Sequence, residues 1–280
     1  MDYVTLNNGV TMPKLGFGVF QVTDLAECEQ SVVDAIDVGY RLIDTAQSYG
    51  NEEAVGRAIK RSGVPREQLF VTSKLWISDY GEEKAKRAFA TSLEKLQLDY
   101  LDLYLLHQPF GDVHGSWRAL EALYKEGKVK AIGISNFYPD RTIDLILAND
   151  VTPAVNQIEV NPFYQRTDDQ KFLHDNHVQM EAWAPFAEGR NNLFHNETLV
   201  AIGKQYGKSV AQVILRWLVQ RDIVALSKST TKARIAENFD VFDFELSRDD
   251  MQKIAALDKN ESSFFSHRDP EAIRRLMTRR

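Results

Sequence analysis

Four side chains of complementary acid–base chemistry stand where β-rich runs of this 280-residue chain end or have just ended. Asp44 closes YRLID, Tyr49 follows in the same loop, Lys74 is next to last in LFVTSKL, and His107 closes DLYLLH. Taken singly, each has an ordinary explanation. Asp44 could satisfy backbone donors of a turn, Tyr49 could be a half-buried aromatic, and a lone histidine is more often structural than catalytic. Lys74 is harder to dismiss, because an ammonium at the end of a core strand needs a partner, and Asp44 is the obvious one. Together a carboxylate, a phenol, an ammonium and an imidazole form a proton-handling set. A phenol with a reference pKa of about 10 is a poor donor at neutral pH, and a neighbouring ammonium is expected to lower it. Asp44 would keep Lys74 charged and oriented, and His107 would hydrogen-bond a carbonyl oxygen, so the set suits protonation of an oxyanion. Two other readings use the same residues: Lys74 as a Schiff-base nucleophile of an aldolase or isomerase, and a non-catalytic sensor subunit on the same fold.

The elements that must position this set follow one alternation. Short β-rich runs fall at about 15–20, 40–44, 69–75, 102–107, 129–135, 153–158, 178–183 and 222–227, several of them nearly continuous in apolar character, as in parallel strands covered on both faces. Amphipathic helical patterns lie between and after them, at about 24–39, 52–62, 82–96, 115–126, 139–148, 168–176, 195–206, 209–220, 232–239 and 247–257. In the first, Asp24 can cap, Glu27 has the capping-box spacing and Gly39 stops the helix. The count predicts an α/β fold, a single (β/α)8 TIM barrel spanning 1–280, preceded by a two-stranded plug turned at Asn8-Gly9. The tail after Leu257 breaks the pattern and is expected to pack across one mouth. The polar residues Asp44, Tyr49, Lys74, His107, Ser135, Asn136, Gln157 and Ser227-Lys228-Ser229 cluster at carboxyl ends of strands, where such barrels build their sites.

Composition narrows the rest. With 44% hydrophobic residues there is ample core, and a formal charge of −6 offers no overall basic field for nucleic acid or an anionic membrane. Cys28 is the only cysteine, which rules out an internal disulfide and fits a reducing compartment. Neither a signal peptide nor a membrane span is evident, so a cytoplasmic monomer acting on a small molecule is expected. His174 and His177 lie three apart without obvious further ligands, and no metal is assigned.

The segments LIDTAQSYGNEEAVG, VTSKLW, LYLLHQP, AIGISNF, VNQIEVNPF and SKSTTKARIAENF, in this order and spread over nearly the whole chain, resemble the aldo-keto reductase superfamily. Its bacterial branch of 2,5-diketo-gluconate and aldehyde reductases is the most similar. The resemblance implies Tyr49 as proton donor, Asp44 and Lys74 as its tuning pair, and His107 as the group that orients the carbonyl. It also implies NADPH lying extended across the barrel mouth, and the Rossmann fingerprint is indeed missing: Gly16-Phe17-Gly18 lacks the third glycine and opens no helix. Ser135, Asn136 and Gln157 would then hold the nicotinamide carboxamide, and Trp183 would stack on the ring, contacts that a non-catalytic nicotinamide-binding sensor subunit would share. Lys228, Ser229 and Arg234 would take the 2′-phosphate of NADP, with Glu237 and Asn238 facing the adenine.

Phe20, Trp76, Gln108 and Phe110 are the expected substrate-pocket residues. The chain departs from the family's pattern at three places. Gln108 replaces an aromatic and is expected to widen or polarise the pocket; Glu188 brings an acidic residue to a loop near a pyrophosphate, which it would repel; and Ser227, in place of a proline, is expected to loosen the turn before Lys228.

Overall fold

A computed structural model describes residues 1–278. Eight parallel strands close into a barrel in the order β10-β3-β4-β5-β6-β7-β8-β9. They are β3 (Leu15–Gly18), β4 (Leu42–Asp44), β5 (Phe70–Leu75), β6 (Leu101–Leu106), β7 (Val129–Ser135), β8 (Val155–Glu159), β9 (Gln179–Trp183) and β10 (Val224–Ser227). All eight expected strands are present, trimmed or shifted by up to two residues at their ends. Helices α1 (Leu25–Val38), α2 (Glu52–Ser62), α3 (Glu82–Leu96), α4 (Val113–Lys125), α5 (Pro139–Ala148), α6 (Thr167–Asp175), α7 (Glu197–Tyr206), α8 (Val210–Gln220), α9 (Lys232–Phe239) and α10 (Arg248–Ala255) realise the ten helical patterns. Asp24 caps α1 by accepting from the Glu27 amide, and Gly39 ends it at φ 126°. The reciprocal capping box forms at α8, where Ser209 and Gln212 exchange bonds.

Before the barrel, β1 (Tyr3–Thr5) and β2 (Thr11–Pro13) pair antiparallel. Their Leu6 and Met12 bury against Leu42, Phe70, Leu103 and Val224 of the barrel interior. Asn7 and Asn8 donate to the carbonyls of Pro153 and Lys130, at the amino ends of β8 and β7, so the hairpin closes that end. The opposite, carboxyl-end mouth is left for chemistry. The tail crosses it as expected: Ser262 Oγ and the Ser263 amide donate to Glu159 at the end of β8, at 2.5 and 2.9 Å, and Phe264 packs on Trp183 with ring centroids 5.3 Å apart. Beyond it lies a helix that the sequence reading does not contain, α11 (Pro270–Thr278), which buries Ala272 and Leu276. Among the described residues no helix is long and apolar enough to cross a membrane.

Barrel closure makes Gly133 necessary. A Cβ there would lie 2.6 Å from the Val155 carbonyl oxygen and 2.7 Å from a Leu105 methyl. Because backbone cannot give way as a side-chain tip does, Gly133→Ala should destabilise the protein by about 1–3 kcal/mol, read as a lower urea midpoint with an unchanged slope.

Candidate active site

The register of the first strands brings the acid–base residues together. Asp44 ends β4 beside Thr72 of β5, and Lys74, two residues further along β5, points the same way into the interior. Lys74 is wholly buried and Asp44 nearly so. The Lys74 ammonium donates to Asp44 Oδ1 at 2.6 Å, to the Thr45 carbonyl at 2.9 Å and to the Tyr49 hydroxyl at 3.3 Å, which uses all three of its protons. Tyr49 ends a short 3-10 turn (Gln47–Tyr49) capped by Gly50 in the left-handed region, a conformation glycine adopts without strain. His107 follows β6, its ring edge-on to Tyr49 at 5.7 Å and to Trp76 at 5.1 Å, with Ser48 Oγ 3.5 Å from Nδ1. The four predicted residues form one cluster, and the ordinary reading of Asp44 as a mere turn residue falls away because Lys74 does point at it.

The protonation of this cluster differs in one respect from the sequence expectation. Burial is the largest influence on Tyr49 and, with Asp44 and Glu181, moves its pKa above the ordinary phenol value; Lys74 opposes the rise without reversing it. The ammonium therefore limits the rise and does not produce a net lowering. Lys74 is itself pulled down by burial, but the Asp44 carboxylate, joined by Tyr49 and Glu181 once these ionise, outweighs that and holds it charged. A charged, fully hydrogen-bonded lysine has no lone pair to attack a carbonyl, which counts against the Schiff-base chemistry.

The residues expected to hold a carboxamide are mostly engaged with one another. Ser135 Oγ donates to the Gln157 carbonyl at 2.8 Å. Asn136, in the left-handed region at φ 67°, donates to the His107 carbonyl and to Ser135 Oγ, and its Oδ1 accepts from the Trp183 indole at 2.9 Å. That last bond fixes the plane of Trp183. Gln157 Nε2 donates to Asp44 Oδ2 at 3.0 Å and to Glu181 Oε2 at 2.9 Å, so its side chain can offer a ligand only a carbonyl acceptor. Glu181 is absent from the sequence reading, although a carboxylate in the middle of an apolar strand is itself a signal.

A second region, a cavity of about 540 Å3, is lined by Lys228, Ser229, Arg234, Glu237 and Asn238 together with Phe186 and Phe194. All five residues expected at a phosphate and adenine are therefore gathered in one place. Lys228 and Arg234 are exposed, free to meet an anion, and Thr230 and Thr231 add hydroxyls that the sequence reading passed over. The turn before Lys228 is not loosened by Ser227, whose hydroxyl is buried against that of Tyr40 at 2.8 Å. Glu188 turns to the β3–α1 loop, accepting from Gln21 Nε2 at 3.1 Å.

The expected pocket residues divide. Phe20 is 45% exposed and packs on Tyr49 at 5.0 Å, and Trp76 borders His107, so both flank the cluster. Phe110 faces His267 of the tail, 6.3 Å away with the rings nearly parallel. Gln108 is buried, its backbone locked to the Tyr80 hydroxyl and its Oε1 without a hydrogen-bond partner. His174 lies exposed beside Asp175, and the described residues contain no cluster of three potential metal ligands.

An eight-stranded parallel barrel with acid–base groups gathered at the carboxyl ends of its strands defines a (β/α)8 enzyme. Residues 14–259 match the aldo/keto reductase family, and the chain is an oxidoreductase belonging to it. It is 51% identical over 261 residues to glyoxal reductase of Bacillus subtilis, covering 93% of this chain and 94% of that protein. An aldo-keto reductase from a Medee basin deep-sea metagenome library superposes with a TM-score of 0.93 at 44% identity, covering 95% of this chain and 98% of that one. The Bombyx mori aldo-keto reductase solved in complex with NADP gives 0.90 at 34% identity, covering 94% and 95%.

Removing one member of the buried pair leaves an uncompensated charge. Lys74→Met should cost about 3–5 kcal/mol in denaturant unfolding at neutral pH, and adding Asp44→Asn to it should recover most of that loss.

Proposed function

We propose that the protein is an NADPH-dependent reductase of aldehydes or ketones in which Tyr49 gives the proton. The observation that carries this reading is the Asp44–Lys74–Tyr49 chain of hydrogen bonds, closed against His107 at the barrel mouth.

NADPH fits the residues present. The cavity supplies two exposed cations and several hydroxyls for the 2′-phosphate, with Asn238 and Glu237 beside it for the adenine. Gln157 would accept from the carboxamide amine, while Ser135 and Asn136 would face it with the oxygen lone pairs their mutual bonds leave over. Trp183, held in plane by Asn136, would stack on the nicotinamide. When bound, NADPH supplies the hydride. His107 orients the carbonyl oxygen toward Tyr49. The raised pKa keeps the phenol protonated through neutral pH, as a donor must be. As the alkoxide develops, Tyr49 transfers its proton, and the Lys74 ammonium stabilises the phenolate left behind. Asp44 keeps that ammonium charged and in place. The products are the alcohol and NADP+.

Phe20 and Trp76 supply apolar walls, whereas Gln108, expected in the pocket, keeps its Oε1 buried and presents no exposed acceptor to a substrate. Because a relative of 51% identity is named for glyoxal, small α-oxoaldehydes are the first substrates to test. The acidic formal charge supports a protein that binds neither nucleic acid nor an anionic membrane, and the single cysteine fits a reducing, cytoplasmic compartment.

Turnover is followed by the loss of reduced-nicotinamide absorbance. Tyr49→Phe should lose at least about a thousandfold in kcat while its NADPH affinity, from fluorescence titration, changes by less than about threefold; equal activity rejects the mechanism. Arg234→Ala should weaken NADPH binding by about 10–100-fold and leave NADH nearly untouched, the loss expected for one charge-assisted phosphate contact. Equal losses for the two cofactors would move the 2′-phosphate elsewhere.

A further inference from the structure

Of the buried carboxyl groups on the barrel strands, the proton chemistry above uses Asp44. Another, Glu181, stands in the middle of β9 with no solvent exposure. It lies in register with Gln157 on β8 and with Val224 on β10. Its Oε2 accepts one proton from Gln157 Nε2, and its Oε1 has no hydrogen-bond partner. Gln157 gives its other amide proton to Asp44, so one neutral side chain spans the two carboxyl groups.

The surroundings cannot support a second full negative charge. The ammonium that acts on Glu181, Lys74, has already committed its three protons to Asp44, Thr45 and Tyr49. From β4, Glu181 faces the charge of Asp44; from β8 it receives a single neutral N–H; β10 contributes the apolar Val224 in register. An ionised carboxylate with one neutral hydrogen bond and a like charge beyond it is far more costly than a neutral carboxyl group with one unpaired oxygen.

We propose that Glu181 is a protonated carboxyl group coupled through Gln157 to Asp44, and that as a positioning residue it sets the alkaline edge of carbonyl reduction. The second half rests on the reading of Tyr49 as proton donor. While Glu181 is neutral, the interior charges of Lys74 and Asp44 balance. Once it ionises, its charge raises the pKa of Tyr49 and opposes the phenolate that reduction must create. Burial first and Asp44 second lift its own pKa from 4.5 to about 8, against the pull of Gln157 and Lys74, which places the change just above neutral pH. The sign for stability follows. The folded protein keeps a proton that the unfolded chain releases, so this group lowers stability as pH rises from about 4.5 to about 8 and has no further effect above that window.

Three readouts on the wild type and Glu181→Gln test this. Infrared spectra of the wild type at about pH 6 should show the carbonyl stretch of a protonated buried carboxylic acid, absent in Glu181→Gln. The melting-temperature difference between the two should shift in favour of the variant as pH rises from about 5 to about 8. With saturating NADPH and an aldehyde, the fall of kcat near pH 8 should move up by at least about one pH unit in the variant, with kcat at about pH 6 kept within about threefold. A merely structural role would lower kcat alike at every pH. Should the glutamine variant fail to fold, Glu181→Leu, which fills the apolar site without a titrating group, takes its place. Absence of the infrared band, or an unchanged alkaline edge, overturns the proposal. Failure to reduce any carbonyl would overturn the functional reading instead, while the band and the stability difference still report on the Glu181 proton.

Discussion

A lysine ammonium with no solvent exposure is the constraint around which the rest of the molecule is arranged. Lys74 can stay charged in the barrel only if each of its protons finds an oxygen and one of those oxygens carries a negative charge. Asp44, Thr45 and Tyr49 provide them, all from the end of β4 and the loop that follows it. Parallel pairing of β4 with β5 sets Asp44 beside Thr72, one inward-facing position below Lys74, so the barrel register itself closes the ion pair. The same requirement extends outward. Gln157 on β8 holds the second oxygen of Asp44, and Glu181 on β9 completes the line across the interior. The acid–base groups thus form one hydrogen-bonded layer, and a change in the protonation of any member is felt by the others.

Stability and chemistry occupy opposite ends of this barrel. At the amino end the plug buries Leu6 and Met12 on the interior apolar layer, and Gly133 lets β7 approach β8 and Leu105 closely. At the carboxyl end the interior turns polar, and the tail is fastened over it by Glu159 and by Phe264 on Trp183. That division lets the mouth vary in residues such as Gln108 and Glu188 while the core that orients Lys74 stays the same.

Much of this was legible in the chain because the signals are local. Alternating β-rich and amphipathic segments locate all eight strands and ten helices, since period and end signals depend on neighbouring residues. Residues 228–238 gather round one cavity because they share a single turn and helix. The helix at Pro270–Thr278 is hard to read from sequence because its buried face amounts to Ala272 and Leu276, and only packing on the core brings Leu276 in. The direction of the Tyr49 pKa is hidden for a related reason: the neighbouring ammonium is visible in sequence as a strand-end lysine, whereas the burial that outweighs it is not. The anchoring of Ser227 is invisible in sequence because its partner, Tyr40, lies 187 positions away.

The sequence by itself determined the barrel, the identity of the four acid–base residues and the position of the basic turn, because each depends on residue type and on spacing within a segment. Only the tertiary structure decided how those groups are protonated and to what they are bonded. It committed both amide protons of Gln157 to carboxyl groups, occupied Asn136 with His107, Ser135 and Trp183, and enclosed Glu181 beside Asp44. Hydrogen-bond supply and desolvation are properties of a closed interior, and strands distant in sequence become neighbours only when the barrel forms.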